Sequence, residues 1–296
     1  MKYAFILNHS DIFSVLLMCS IFSVSKSAYY RWLINPVSKR EIRNHELDDE
    51  IYAIFHKHKK RYGGKRIYEE MKDKGWKVTE EKVLERMKLM NLIAKANKQF
   101  IKTTDTQHNQ YVVANRLKQD FKACKPNEKW VTDITYIPTE EGFLYLCVFL
   151  DLYSRAIVGW SMADHMRSEL VNNALTMAMF KRSMPTNVLV HSDKGAQYTS
   201  ESFHSKLIDY KLVPSMSGTG CCYDNAACES FFGTLKTELC DDEDYQTIEE
   251  AKSSIFEYIE GYYNTQRKHS SINYFTPREF EDRMKNEMTN RPKLTG

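Results

Sequence analysis

Trp130-Val131-Thr132-Asp133-Ile134-Thr135-Tyr136-Ile137 decides the fold. Aromatic and β-branched side chains alternate with polar ones along it, as they do in a half-buried strand. Downstream, Phe143 to Leu152 is an almost unbroken apolar run and reads as a central strand. A two-residue turn, Tyr153-Ser154, leads to a third strand over Arg155 to Met162. The period then changes. Ser168 to Arg182 reads as a helix, Asn187 to His191 as a strand, Glu201 to Tyr210 as a helix and Leu212 to Ser217 as a short strand. Helices over about 223–239 and 247–266 close the region. Three antiparallel strands followed by alternating helices and strands make an α/β fold, a mixed sheet flanked by helices.

Upstream of Trp130 the spacing is helical. Ile51, Ile54 and Phe55 mark one helix, Ile67 and Met71 a second, and Val83, Met87 and Met90 a third. Thr79 is placed to cap the third helix, with Glu80 and Glu81 in its first turn and Gly75 in the turn before it. These features predict an all-α, helix-turn-helix-like region, although the Lys74 to Thr79 connection exceeds the usual three or four residues. The first 44 residues read as short helices, with a capped start in Ser25 to Trp32. The expected organisation is a helical segment over 1–44, a basic helix-turn-helix-like region over 45–98, a connector over 99–124, an α/β core over 125–283 and a flexible tail over 284–296.

Composition narrows the class. With 42% hydrophobic and 27% charged residues among 296, the chain can bury a sizeable core, which excludes a disordered chain or a disulfide mini-protein. The seven Cys include no C-x-x-C pair, so free thiols in a reducing cytoplasm are expected rather than a zinc knuckle. Ile12 to Val24 is apolar but only 13 residues long, short of the about 20 that a membrane span requires, and no membrane partner is expected. The net charge of +3 hides an asymmetry: residues 1–129 hold 26 Lys+Arg against 15 Asp+Glu, and the remainder 16 against 24. A basic front joined to an acidic back suggests a nucleic-acid-binding module attached to something different. Lys65, Arg66, Lys82 and Arg86 are the candidate phosphate contacts of that front.

Three carboxylates stand out by position. Asp133 lies in mid-strand, where Asp is disfavoured and a buried carboxylate needs a partner. Asp193 follows the fourth strand in His191-Ser192-Asp193-Lys194-Gly195-Ala196-Gln197-Tyr198, at the strand end where α/β sheets usually bind ligands. Glu229 lies on a helix whose one face carries Asn225, Glu229, Phe232, Gly233 and Lys236. Three hard oxygen donors suit Mg²⁺ or Mn²⁺, and such a trio can hold two ions for an in-line phosphoryl displacement. Any one of these acids alone is an ordinary surface or core residue. His191 reads equally as a satisfied buried histidine or a substrate contact, and Asn225 equally as part of a ligand shell or of a helix cap. Arg267 and Lys268, after a long helix, read equally as a DNA grip or a solvated helix end.

Asp133 and Asp193 are separated by 59 residues, and Asp193 and Glu229 by 35. With W-x-x-D-I-T-Y, H-S-D-x-G-x-Q-Y and D-N-A-x-x-E-S-F-F-x-x-L-K, the chain resembles the D-D-35-E core of bacterial insertion-sequence transposases. It is most similar to the second-frame (OrfB) protein of the IS three family, in the retroviral integrase superfamily. Val24 to Tyr30, Arg61 to Ile67, Tyr263-Asn264, Arg267, His269 and Thr276-Pro277 extend the resemblance over nearly the whole chain. The resemblance implies an RNase H-like fold, Asp133, Asp193 and Glu229 as the metal-binding catalytic triad, and Lys236 as the basic residue seven after the Glu. It implies hydrolysis at the element's end, then attack of the freed 3′-hydroxyl on a second strand, with no covalent protein–DNA intermediate. Implied partners are the element's terminal inverted repeats, target DNA, further copies of the chain in a synaptic complex, and a first-frame (OrfA) protein or a frameshift fusion with it. The competing expectations are a non-catalytic DNA-binding regulator, against which the complete triad weighs, and an RNase H-type nuclease, against which the flanking motifs weigh.

Overall fold

The computed structural model describes residues 1–34, 37–95, 112–218 and 225–289. They fall into two compact units, Met1–Ala94 and Lys95–Gly296.

In the first unit, α1 (Lys2–Asn8), α2 (Val15–Ile21) and α3 (Lys26–Ile34) enclose a small core of Ile6, Met18, Cys19 and Tyr29. The Ser25 hydroxyl accepts the Ala28 N–H at 3.0 Å and starts α3 where the sequence places it. Three longer helices follow: α4 (Lys39–Lys57), α5 (Gly64–Asp73) and α6 (Glu80–Leu89). Their apolar stripes meet, and Ile51, Ile54, Phe55, Ile67, Met71, Val83 and Met87 are all buried. Thr79 caps α6 by accepting the Lys82 N–H, and Gly75, at φ +82°, makes the turn that ends α5. The first of the three helices starts well before the expected residue 45. Ser38 and Glu41 form a reciprocal capping box that begins it at Lys39.

The second unit contains β1 (Lys129–Thr139), β2 (Gly142–Asp151), β3 (Ile157–Ala163), α7 (Ser168–Lys181), β4 (Leu189–Ser192), α8 (Glu201–Asp209), β5 (Val213–Met216), α9 (Ala226–Glu238), α10 (Ile248–Phe256) and α11 (Pro277–Thr289). The sheet order is β3-β2-β1-β4-β5, with β1 to β3 antiparallel and β4 and β5 parallel to β1. Trp130, Phe149 and Val158 pack with Leu170, Ala174 and Ala178 of α7 on one face. The other face carries Val131 and Asp133 and meets α9 and α10. Gly159 allows β3 to touch α7 closely: a Cβ there would stand 2.4 Å from the Ala174 carbonyl oxygen.

Local differences from the sequence reading have local causes. β3 begins at Ile157 rather than Arg155, because the Asp151 carboxylate accepts the Tyr153 and Asn127 N–H groups and Arg155 takes φ +63°. The expected helix over 247–266 rewinds after Phe256 into a π-helical stretch, Glu257–Tyr263. The expected tail from 284 is helical to Thr289, in a helix started by Pro277 and a Thr276–Glu279 capping box. Half of the expected connector over 99–124, residues 99–111, lies outside the described residues, as do 96–98, Cys221, Cys222 and 290–296. Its remainder is docked rather than free: the Arg116 and Leu117 N–H groups donate to Ser215 Oγ on β5 at 2.8 and 3.2 Å, and Leu117 is buried. Among the described residues no helix is long and apolar enough to cross a membrane.

Candidate active site

Strand register brings the first two carboxylates together. Val131 of β1 pairs with His191 of the parallel β4. Two residues beyond that last ladder pair on each chain stand Asp133 and Asp193, near enough for the Asp193 charge to act on Asp133. Asp193 is the first residue beyond β4. Each carboxylate is steadied by a nearby amide: Asp133 Oδ1 accepts the Ile134 N–H at 2.8 Å, and Asp193 Oδ1 accepts the Gly195 N–H at 2.9 Å. The loop after Asp193 is anchored by Tyr198, whose buried hydroxyl hydrogen-bonds to Thr132 Oγ1 at 3.0 Å. Tyr198 stands in the Asp193 motif, but nothing in its local spacing shows that it reaches under β1.

The third carboxylate arrives on α9. Asn225, at the N-terminus of that helix, makes no side-chain cap; its Nδ2 instead donates to the Thr132 carbonyl at 3.2 Å. This bond ties the start of α9 to the residue preceding Asp133, and Asn225 Oδ1 is buried without a hydrogen-bond partner among the described residues. Glu229, in the first turn, faces solvent. Burial first and then the charge of Asp193 push the Asp133 carboxyl up to about 7; the Ile134 N–H opposes them, and the Glu229 charge adds the smallest effect. Burial also raises Asp193, opposed by the Gly195 N–H. Among the described residues, no three His, Cys, Asp or Glu side chains converge tightly enough to hold a metal ion, and residues 219–224, directly before α9, lie outside them. By donor chemistry the three carboxylates fit Mg²⁺ or Mn²⁺, and a divalent charge beside them would reverse the repulsion that lifts Asp133.

Beyond Asp133 on β1, the Lys236 ammonium lies 5.0 Å from the centroid of the Tyr136 ring, and burial lowers its pKa. The other candidate contacts divide. His191 is fully buried, bonded to Ser215 Oγ at 2.9 Å and Ser217 Oγ at 3.2 Å, so it joins β4 to β5 and its neighbour rather than meeting substrate. Arg267 is buried against Glu238, with Nη2 to Oε1 at 2.8 Å, while Tyr258 donates to the same carboxylate. Lys268 is buried too, donating to the Tyr274 carbonyl at 3.2 Å. Burial sets both residues apart from a solvated helix end and from a DNA grip alike: Arg267 sits in an ion pair closed from water, and Lys268 is turned onto backbone. Arg86 is likewise taken by Asp48, to which Nε donates at 2.6 Å and Nη2 donates as well; it locks α6 to α4. Lys65, Arg66 and Lys82 stay at the surface, paired respectively with Glu80 at 2.6 Å, stacked on Tyr62 and paired with Glu85 at 3.0 Å. Exposed pairs of this kind exchange readily for phosphate.

Family models match along the chain. An HTH-like domain matches residues 41–100, and two integrase core domain models match 123–222 and 210–277. The chain is 40% identical over 285 residues to the transposase InsF for insertion sequence IS3A of Escherichia coli, covering 96% of this chain and 99% of that one. It is 42% identical over 244 residues to the transposase for insertion sequence element IS904 of Lactococcus lactis, covering 82% of this chain and 96% of that one. Among solved structures, the HTLV-2 integrase catalytic core in complex with magnesium aligns at a TM-score of 0.41 and 17% identity, over 54% of this chain and 99% of that one.

Proposed function

Because the chain belongs to the insertion-sequence transposases with an integrase core, we propose that Asp133, Asp193 and Glu229 are its catalytic triad and the ligands of one or two Mg²⁺ or Mn²⁺ ions. The observation that supports this reading is the parallel pairing of β1 with β4 just before Asp133 and Asp193, together with the charges of Asp193 and Glu229 acting on Asp133. The bound ions would supply positive charge at the attacked phosphate and lower the pKa of the attacking oxygen. The protein's part is positional. Tyr198 holds the Asp193 loop and Asn225 holds the start of α9, both through Thr132, so one residue of β1 fixes the supports of two carboxylates. Lys236 is placed to meet a DNA phosphate next to them.

In the first step water attacks a phosphodiester at the element's end and frees a 3′-hydroxyl. In the second that hydroxyl attacks another strand, displacing an oxygen in line, and no side chain becomes bonded to DNA. The helical unit, through Lys65, Arg66 and Lys82, contributes salt-sensitive affinity for the terminal repeats and target DNA. Several copies act together in a synaptic complex, with a first-frame protein or fusion as the accompanying partner. Glu229→Gln tests the assignment: strand transfer should be lost while affinity for the end duplex stays within about threefold. Affinity that fell in parallel with transfer would overturn it.

A further inference from the structure

The first unit contains a cavity of about 460 Å³ between α4 and the turn that leads into α6. That volume lies within the roughly 300–1,000 Å³ of pockets that enclose small ligands. Leu47, Trp76 and Val78 give it apolar walls, Arg43 and Lys77 supply two cations, and Lys82, a third lining cation, is held by Glu85 at 3.0 Å. Arg43 is pre-set, because its Nη2 donates to the Lys77 carbonyl at 3.1 Å and so orients the guanidinium at the opening. Trp76 is only half-buried, so part of its indole remains open to contact. The site lies partly open at the surface, and an aromatic plate edged with cations suits a planar base with a phosphate attached.

We propose that this pocket receives one unstacked nucleotide of a DNA strand, with its base against Trp76 and its phosphate between Arg43 and Lys77. The inference rests on the reading of the helical unit as DNA-binding and adds to it a preference for DNA with a displaced base. Such a base exists wherever a duplex is bulged or opened at a strand end. A base left outside the stack has already lost its neighbours, so its transfer to the indole meets little opposing unstacking cost.

The test uses the full chain and a labelled duplex carrying a single 2-aminopurine bulge, compared with the same duplex fully paired. The expected result is about tenfold tighter binding of the bulged duplex, with quenched 2-aminopurine fluorescence. Trp76→Leu and Lys77→Gln should each remove that preference while binding of the paired duplex changes less than twofold. Lys77 is exposed, so its variant keeps the test valid if Trp76→Leu fails to fold. Equal affinity for the two duplexes, or a preference that survives in Lys77→Gln, would overturn the proposal. Competition by a free deoxynucleoside monophosphate as strong as by the bulged duplex would also overturn it, by making the ligand a free nucleotide. Loss of binding to both duplexes would instead remove the underlying DNA-binding reading together with the proposal.

Discussion

Replacing Asp133 with Asn should make the metal-free protein more stable at neutral and alkaline pH. Asp133 titrates at about 7 in the folded chain against an ordinary 3.8, because it is buried and faces the charges of Asp193 and Glu229. A group with a raised folded pKa binds its proton more tightly when folded, so stability is unaffected below about pH 4 and falls as pH rises from there to about 7. The full shift of about three units corresponds to about 4 kcal/mol. Residual solvent contact screens part of it, and about 2 kcal/mol is the expected cost at pH 8. Asn keeps the oxygen that accepts the Ile134 N–H and removes the ionisation. Thermal unfolding in EDTA should therefore show a melting temperature about 4–8 °C higher for Asp133→Asn at pH 8, and no difference at pH 4. Adding Mg²⁺ should stabilise the wild type more than the variant and narrow the gap. A variant no more stable than wild type at pH 8, or one stabilised equally at both pH values, would refute the electrostatic account of the site.

Other substitutions probe the frame that supports the site. Gly159→Ala should lower core stability by about 3 kcal/mol, since its Cβ would meet backbone atoms of α7 that cannot rotate away; denaturant unfolding measures it, and a change under 1 kcal/mol would contradict the close approach. Arg267→Met should cost about 3–5 kcal/mol by leaving the buried Glu238 carboxylate without its cation, while paired-duplex affinity per folded molecule stays unchanged. A selective loss of DNA affinity would restore Arg267 as a phosphate contact. In the helical unit, Glu70 is held at about 2, hydrogen bonds from His58 and Lys57 outweighing its burial. A depressed folded pKa contributes stability that is present above about 4.5 and lost as pH falls towards 2, so Glu70→Gln should destabilise the chain by about 2 kcal/mol at pH 7 and not at pH 2.

The strands and helices were legible where burial enforces a period. The two-residue pattern around Trp130 gave β1, and the stripes of Ile51, Ile67 and Val83 gave the three helices that pack together. The start of the first of those helices was written in Ser38 and Glu41 but was passed over for the apolar stripe that begins later. Charge type misled at Arg86 and Arg267, because a sequence shows a cation but not the distant acid that closes on it, thirty-eight residues away for Arg86 and twenty-nine for Arg267. Tyr198 and Asn225 were visible in their motifs, yet their roles depend on meeting Thr132 from separate segments. Register across the sheet is a tertiary property, which is why the adjacency of Asp133 and Asp193 had to be argued from resemblance before it could be read from β1 and β4.

Strand joining through Asp133, Asp193 and Glu229 is read most directly from cleavage and joining of a labelled duplex carrying the element's own end, by the purified chain with Mg²⁺ or Mn²⁺, beside Asp133→Asn. Wild type, supplemented where needed by the fused first frame, should give metal-dependent nicked and joined products, and the variant none. Equal product yields from wild type and Asp133→Asn would contradict it.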